Sequence, residues 1–572
     1  MKLPSVAELI GRLPPAARPV VRTALYGLAA GFAAIVFRLG IHEVYDNGIR
    51  RLSELSLGRF LIGSLLLVMA TAGFSAWLLN RFCPEAVGGG IPRLKLSFWK
   101  DFGQARKRLA PLKLLGGVLA VGGGSSLGPE GPTLQIGGAV ASNLAGVCGE
   151  PAQKRRAAAA AGAAAALAAA FNTPLAAVTF VLEEVVADLN SKLIGGMLLA
   201  SVLGSFVAHA LVGEQPAFQL GTLGRVGWPA YAMVPLVAAF VALVGNLFQR
   251  GALAVRGWNK QARPTPLWLR AALGGACVWA LGIGVYLATG RLGVFSYGYD
   301  DLTAALNGTV PLHDSFVLLG AKLLATAVCF GLGGAGGLFA PTLFFGAMAG
   351  AVVAGLAGIL LPLTPSECAL LAVVGMSSAL AATGGAPVTS IFIVFEMTHE
   401  FAVVPPLIVA ALVARPLARA LARHNIYDAI LKQDGQDIEQ VIPPRDLRAW
   451  QDAPISRIAN FRPVLVRDTS PAALAQLLKE KTHDRFPVVH VDARPRGLLT
   501  RAELKAALKE GREPVLVDCP AVRRETSLRE VQRILIDAPD GMVLIQAGAD
   551  DRIIGLVTLH DLLRAEAAFG AG

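Results

Sequence analysis

Long apolar runs dominate the pattern of hydrophobic and polar positions along the first three quarters of the chain. They include LYGLAAGFAAIVFRLG from Leu25, FLIGSLLLVMATAGFSAWLL from Phe60, MVPLVAAFVALVGNLF from Met233 and ALGGACVWALGIGVYLA from Ala272. A helix needs about 20 apolar residues to cross a bilayer, and these runs approach that length. The pattern therefore predicts an all-α polytopic membrane protein over this part of the chain.

Other apolar runs are shorter and contain Gly or Pro. They are TLQIGGAVASNLAG from Thr133, AAAAAGAAAALAAAF from Ala157, APTLFFGAMAGAVVAG from Ala340 and APVTSIFIVFEM from Ala386. Broken helices are tolerated at membrane depth only where protein or a water-filled cavity satisfies the freed backbone groups. These runs therefore indicate a transporter or a channel.

The apolar region contains an internal repeat. TPLAAVTFVLEEV aligns with APVTSIFIVFEMT, so that Pro174 matches Pro387 and Glu183 matches Glu396. A Gly-rich break that ends in Pro precedes each copy, GPEGP at 128–132 and GGLFAP at 336–341. Such repeats are typical of transporters with two inverted halves and a substrate site at their interface. We expect that architecture here.

After about Asp434 the apolar runs shorten and charged residues become frequent. RFPVVHVDARPRGLLTRAELKAAL from Arg485 matches GMVLIQAGADDRIIGLVTLHDLLRAE from Gly541, each with the pattern strand, turn, strand, helix. The sequence thus predicts a cytoplasmic α/β module with two repeats. The predicted boundaries are 1–440 for the membrane region, 441–508 for the first repeat and 509–572 for the second.

The composition agrees with a membrane protein, because 54% of the residues are hydrophobic and only 16% are charged. The net charge of +12 does not indicate a nucleic-acid partner. Basic residues such as Arg12 and Arg22 precede the first apolar run, and Arg415 and Arg419 lie at the end of the last. By the positive-inside rule, this predicts cytoplasmic termini in a multi-pass protein of the inner (plasma) membrane.

Enzymatic chemistry finds little support in the sequence. The six cysteines form no CxxC pair, and the apolar region contains no metal-ligand constellation or nucleophile–base pair. We therefore expect no metal, no required cofactor and no enzyme activity. A membrane-anchored nucleotide sensor is a further alternative, which the repeated break motifs disfavour.

The Gly-rich breaks suggest anion binding. A helix that begins inside a membrane presents unpaired N–H groups and the positive end of its dipole, and these attract an anion without a full positive charge. Three breaks have this form: VGGGIP at 87–92, GPEGP and GGLFAP. Gly allows close approach of an ion to backbone amides, and Pro suits the first turn of a helix.

The order GGGIP, GPEGP, GGLFAP and a later Tyr in NIYDAIL resembles the CLC family of chloride channels and chloride/proton antiporters. PLKLLGG and FNTPLAAVTFVLEE extend the resemblance, and the C-terminal repeat resembles a tandem CBS pair. The resemblance implies a homodimer in the lipid membrane, with one pore per subunit. It also implies that small anions and protons are the transported partners.

Position by position, the resemblance implies a gating carboxylate at Glu130, an inner proton-transfer acid at Glu184 and an electrostatic role for Lys113. The implied anion-binding residues are Gly89, Gly90, Ile91, Gly131, Leu338, Phe339 and Tyr427. An ionised acid inside a membrane costs about 2.5 to 3.5 kcal/mol, so function is the default interpretation of Glu130. Adjacent helical residues point about 100° apart, so we expect Glu184 to face the proton path and Glu183, like Glu396, to be structural.

Two positions depart from the family pattern. Gly89 stands where the family usually has a serine, so the preference for chloride over nitrate stays open. Pro129 stands where a Lys or Arg is common, and its loss of charge predicts weaker anion binding from outside.

We expect an anion/proton antiporter that moves chloride or a similar anion. A passive anion channel on the same scaffold is the alternative, and Glu184 disfavours it.

In CBS pairs a Thr-x-x-Asp motif binds an adenosine ribose. Thr558 and Asp561 match this motif, which suggests an adenine nucleotide as ligand. In the first repeat Glu503 replaces the Asp, and both acids can instead be helix N-terminal charges.

Overall fold

The computed structural model describes residues 6–152, 155–189, 191, 193–213, 224, 226–261, 265–436, 454–538, 540–547 and 551–570. Contacts divide the chain into two compact units, Met1–Val441 and Ile442–Gly572. The predicted boundary between residues 440 and 441 lies in 437–453, outside the described residues. Each unit is treated separately below.

The first unit is helical. Its helices are α1 (Val6–Gly11), α2 (Ala17–Tyr45), α3 (Leu57–Phe82), α4 (Ile91–Lys100), α5 (Leu109–Gly122), α6 (Glu130–Val147), α7 (Arg155–Phe171), α8 (Pro174–Phe180), α9 (Ile194–Val212), α10 (Trp228–Gln261), α11 (Leu267–Thr289), α12 (Tyr299–Leu306), α13 (Leu312–Gly331), α14 (Phe339–Ala357), α15 (Pro365–Ala379), α16 (Pro387–Thr398), α17 (Val404–Leu421) and α18 (Ile426–Gln433). Short π-helical segments follow α2, α8 and α15, at Asp46–Arg50, Val181–Val186 and Leu380–Gly384. In the described part of the chain, nine helical stretches are long and apolar enough to cross a membrane.

The two halves of this unit cap each other's helices. Glu183, at the end of the first repeat, accepts a hydrogen bond from the amide of Thr389 at 2.8 Å, at the start of α16. Glu396, at the end of the second, accepts from the amide of Ala176 at 2.7 Å, at the start of α8. Reciprocal contacts of this kind indicate a twofold relation between the halves. The predicted two-half helical architecture is confirmed.

Small residues bring the helices of each half into backbone contact. A Cβ atom added to Gly137 on α6 would lie 2.3 Å from the Cβ atom of Ala166 on α7. The same contact recurs in the second half, where a Cβ atom on Gly346 of α14 would lie 2.5 Å from that of Ala379 on α15. Helices in lipid associate through such close packing, which explains the runs of Ala and Gly.

The second unit contains α19 (Pro471–Glu480), β1 (Arg485–Val489), β2 (Pro495–Thr500), α20 (Arg501–Glu510), β3 (Ala521–Arg523), α21 (Leu528–Asp537), β4 (Met542–Ala547), β5 (Arg552–Thr558) and α22 (Leu559–Gly570). Strands β1 and β2 pair antiparallel, and β3, β4 and β5 form a sheet in that order.

The repeat predicted for this unit is visible in the strand registers. Gly497 pairs with Val488, and its counterpart Gly555 pairs with Ile545. In both hairpins the register shifts immediately after the paired residue on the first strand. The two strand–strand–helix repeats are therefore confirmed, down to one shared irregularity.

Candidate functional site

The three Gly-rich breaks meet at the interface between the halves. Gly128 and Gly337 exchange two backbone hydrogen bonds, of 2.8 and 2.6 Å. A Cβ atom on Gly131 would lie only 1.8 Å from the carbonyl oxygen of Gly89, and one on Gly90 would lie 2.2 Å from that of Gly131. These contacts require glycine, because no side chain fits between the backbones.

The breaks leave backbone donors unused. Within the described part of the chain, no hydrogen bond uses the amide N–H of Gly90, Ile91, Leu338 or Phe339. Ile91 and Phe339 begin α4 and α14, and both are fully buried. Buried amides at helix N-termini attract an anion through the orphan N–H groups and the helix dipole.

The carboxylate of Glu130 lies at the start of α14. Glu130 begins α6 and is fully buried. Its Oε2 accepts a hydrogen bond from the amide of Ala340 at 3.1 Å, and its Oε1 accepts from the hydroxyl of Tyr299 at 2.9 Å. The carboxylate of one half thus sits at a helix N-terminus of the other, as a bound anion would. Ala340 belongs to the GGLFAP break, whereas no motif contains Tyr299.

A small cavity of about 30 Å³ adjoins Glu130, with Arg38, Pro129 and Tyr299 among its lining residues. A cavity of this size has room for about one or two waters. Arg38 on α2 donates to the carbonyl oxygen of Ala170 at 3.3 Å and brings its guanidinium to this cavity. A cation from another helix therefore lies near the position where Pro129 replaces the family's usual one.

Glu184 lies in the π-helical segment after α8, and its side chain is buried. Its Oε1 accepts from Lys95 Nζ at 3.0 Å, and its Oε2 accepts from Asn425 Nδ2 at 2.8 Å. Its neighbour Glu183 instead caps α16. The two adjacent acids diverge, as the helical spacing predicts. Asn425 belongs to NIYDAIL, but that motif gives no sign of its contact with Glu184, and Lys95 lies outside the quoted motifs.

Tyr427 is buried on α18, next to the π-helical segment that precedes α16. A Cβ atom on Gly384 would lie 3.7 Å from its ring. Asn425 caps α18 by accepting from the amide of Asp428 at 2.8 Å, which ties the helix of Tyr427 to Glu184.

Lys113 is fully buried on α5 and supports the first Gly-rich break. Its ammonium donates to the carbonyl oxygen of Ala86 at 2.7 Å and to that of Gly88. Lys322 on α13 does the same in the second half, where it donates to the carbonyls of Gly293 at 2.9 Å and Ser296 at 2.7 Å. Glu130 and Phe339 are 209 residues apart, and so are Lys113 and Lys322. This constant offset between the halves is the sequence signal that identifies Lys322 as the counterpart of Lys113.

A larger cavity of about 290 Å³ opens onto Gly88, Gly89 and Gly90. Arg93, on the first turn of α4, also lines it. A Cβ atom on Gly89 would lie 3.5 Å from the ring of Phe330, an ordinary contact distance. Unlike Gly90 and Gly131, Gly89 therefore has room for a side chain such as serine.

In the second unit, Thr558 and Asp561 bond to each other. The Thr558 hydroxyl donates to Asp561 Oδ2 at 2.7 Å, and the amide of Thr558 donates to the same oxygen at 3.0 Å. In the first repeat Glu503 accepts from Arg512 and from the amide of Val515, and these bonds lower the pKa of Glu503 to about 2. Glu503 therefore has a structural role that Asp561 does not share.

Comparisons with known proteins agree with this arrangement. The family model described as "Voltage gated chloride channel" matches residues 71–419. The CBS domain model matches residues 455–510 and 515–568. The H(+)/Cl(−) exchange transporter ClcA of Vibrio campbellii is 31% identical over 432 residues, which cover 74% of this chain and 90% of the relative.

Two solved structures share the fold. A slow cyanobacterial Cl⁻/H⁺ antiporter superposes with a TM-score of 0.65 at 27% identity and covers 74% of this chain and 98% of its own. A eukaryotic CLC transporter superposes with a TM-score of 0.61 over 96% of this chain and 98% of its own, and at 19% identity it shows the fold alone. The relatives are transporters, which confirms that the chain is not an enzyme. The chain therefore belongs to the CLC family of chloride channels and transporters, with a tandem CBS pair after its membrane unit.

Proposed function

We propose that the protein exchanges chloride or a similar small anion for protons across the membrane. The observation that carries this proposal is the carboxylate of Glu130, which accepts from the amide of Ala340 at the start of α14. A carboxylate in that position competes with an anion for the same helix N-terminus. Protonation removes its charge and frees the site, so anion occupancy and proton binding alternate.

Glu184 supplies the second proton site in this proposal. It is buried, and Asn425, which donates to it, also caps the helix that carries Tyr427. A purely passive anion pore has no need of a second buried acid, since burial of a charge is costly. The names of the relatives as exchange transporters support the same conclusion.

The anion would bind between the amides of Leu338 and Phe339 and the hydroxyl of Tyr427. Gly89, Gly90, Ile91 and Gly131 would line the remaining backbone of the site, and Lys113 would add positive potential. In this proposal the face that contains Glu184 and the 290 Å³ cavity is cytoplasmic, with both chain termini and the CBS pair on the same side of the plasma membrane.

The test is flux in liposomes that contain the purified protein. An imposed chloride gradient should drive protons uphill, and Glu184→Gln should abolish proton movement while anion flux persists. Met397→Leu is the matched control, because Met397 occupies the equivalent position in the other half, 213 residues later. Chloride flux with no proton movement in the unmodified protein would contradict exchange and establish a passive channel.

Gly89→Ser tests the choice of anion. A Cβ atom at residue 89 meets Phe330 at an ordinary contact distance, and the serine hydroxyl would add one donor to the site. A hydrogen bond to a charged group is worth about 1.5 kcal/mol, so chloride selectivity over nitrate should rise about tenfold. Competition of nitrate and fluoride with chloride in the same liposomes measures this. An unchanged ratio would mean that residue 89 does not contact the anion.

Two further parts of the proposal concern partners. Apolar side chains such as Phe206 on α9 and Leu412 on α17 are 58% and 70% exposed, which suits contact with lipid and with a second subunit.

An adenine nucleotide would bind the CBS pair at Thr558 and Asp561. Calorimetry with ATP and AMP tests that ligand, and Thr558→Ala should abolish the heat. No heat with either nucleotide would leave the Thr558–Asp561 contact as a helix cap.

A further inference from the structure

The Glu184 carboxylate belongs to a buried group of charges, here called the Lys95 cluster: Lys95, Glu184 and Asp428. The Lys95 ammonium donates to Glu184 Oε1 at 3.0 Å and to Asp428 Oδ1 at 2.6 Å. The side chains of Lys95 and Glu184 are 5% and 2% exposed, whereas that of Asp428 is 26% exposed. One ammonium is thus shared between an enclosed carboxylate and a carboxylate that solvent reaches.

Each member of the cluster lies on a different element of the anion path. Lys95 is on α4, which begins at the Gly90–Ile91 break. Asp428 is on α18, beside Tyr427. Glu184 is therefore joined by hydrogen bonds to both helices that present anion donors on this side of the site.

Hydrogen-bond chemistry makes these contacts sensitive to a proton. Both partners of Glu184 can only donate, since an ammonium and the NH₂ group of an amide do not accept hydrogen bonds. A protonated Glu184 needs an acceptor for its O–H, so it cannot keep both contacts. Rotation of the Asn425 amide does not solve this, because its oxygen already accepts from the amide of Asp428.

Protonation of Glu184 also leaves the remaining charges of the Lys95 cluster paired. When Glu184 takes up a proton, the Lys95 ammonium still has Asp428 as its counterion, so no buried cation is left unpaired. Loss of a partner without such compensation is costly in a buried pair. Two further groups act on Glu184 without a hydrogen bond in the described residues: Arg415 on α17 and the hydroxyl of Tyr427.

We propose that Lys95 is a positioning residue that couples proton loading of Glu184 to the two helices of the anion path, α4 and α18. While Glu184 is ionised, Lys95 and Asn425 hold both helices to it. Protonation releases one of these contacts, and Lys95 remains with Asp428. This inference rests on the proposed function, in which Glu184 is the inner proton site.

Two substitutions should shift the pH profile of exchange in opposite directions. Lys95→Met removes the cation beside Glu184, which favours its protonated form and moves the profile to higher pH by about one unit or more. Asp428→Asn removes the competing carboxylate and leaves Lys95 to Glu184 alone, so the profile moves to lower pH. The measurement is proton-coupled chloride flux in liposomes as the pH on the Glu184 side is varied.

Matched variants separate this role from general stability. Lys95→Arg keeps the charge and should restore the profile. Lys100→Met changes an exposed lysine on the same helix, whose ammonium donates to Gln436 at 2.6 Å, and should leave the profile unchanged. Asp428→Asn and Lys95→Arg keep the test valid if Lys95→Met does not fold.

The outcomes also distinguish this inference from the proposed function. Opposite shifts support it. Shifts in the same direction, or unchanged profiles in folded variants, would overturn the role of Lys95 while exchange itself stands. If the unmodified protein moves no protons, the proposed function fails first and the inference falls with it.

Discussion

In the first half of the membrane unit Glu130 begins α6, and 209 positions later, in the second half, Phe339 begins α14. A second pair of equivalent positions differs in the same way: Glu184 in the first half corresponds to Met397 in the second, 213 positions later. Both residues of the first half are acids and both of the second are apolar.

At two other pairs of positions the halves are matched. Lys113 and Lys322 each donate to carbonyls of the loop that precedes the helix before their own, and Glu183 and Glu396 each cap a helix of the opposite half. Residues that build the scaffold are thus duplicated, and residues that carry the proposed proton chemistry occur once. A symmetric frame presents equivalent helix ends, and in the proposed function the acids of one half add the proton sites.

Glu130→Gln should have the largest effect on transport, because it removes one of the two acids that distinguish the halves. Glutamine is neutral at all working pH values, so the variant should lose proton transport and the pH dependence of anion flux together. In the unmodified protein anion flux should rise as the pH falls, because protonated Glu130 leaves the start of α14. Flux in liposomes from pH 8 to pH 5 measures both. Retained proton transport in the variant would contradict a gating role for Glu130.

Substitution of the two buried lysines tests whether the matched residues of the two halves have the same structural role. Lys113→Met and Lys322→Met each leave two or more buried carbonyls without a donor, so each should lower the free energy of unfolding by about 3 kcal/mol. Denaturation in detergent measures this. Only Lys113→Met should also weaken anion binding, because only Lys113 holds the Gly88 loop. Equal loss of binding in both variants would show that the effect is structural.

Tyr299 sharpens the comparison at a position where the halves differ. It lies 209 positions after Gly90, so a closely packed glycine in the first half corresponds to a tyrosine in the second, and that tyrosine donates a hydrogen bond to Glu130. Tyr299→Phe removes a donor to the ionised carboxylate, worth about 1.5 kcal/mol. The pH of half-maximal anion flux should rise by about one unit. A shift to lower pH would mean that Tyr299 does not stabilise the ionised form.

The reciprocal caps should show the smallest effects. Glu183→Gln and Glu396→Gln keep the hydrogen-bond acceptors and remove the charges that favour the helix N-termini, at a cost of about 1 kcal/mol each. Proton transport should persist in both. Loss of proton transport in Glu183→Gln, measured beside Glu184→Gln, would exchange the roles assigned to the two adjacent acids.

Local patterns in the sequence predicted the breaks, the repeat and the inward position of Glu184, because helix breakers and helical periodicity act over a few residues. They did not predict the partners of the acids. Tyr299 lies 169 residues from Glu130, and Asp428 lies 333 residues from Lys95. Tyr299 belongs to no motif, and Asp428 stands in NIYDAIL without any sign of its partner. Only the packing of α4, α12 and α18 brings these residues to the site.

The exchange of helix caps between the halves has a consequence for synthesis. The carboxylate that caps the start of α8 comes from Glu396, 220 residues after Ala176. At about 5 to 20 residues per second, the ribosome needs roughly 10 to 40 seconds to reach it. Until then the amides at the start of α8 lack the partner that the finished protein gives them. The first half is therefore inserted early but completed late, and a truncated chain that ends before α16 lacks a cap that its own helix requires.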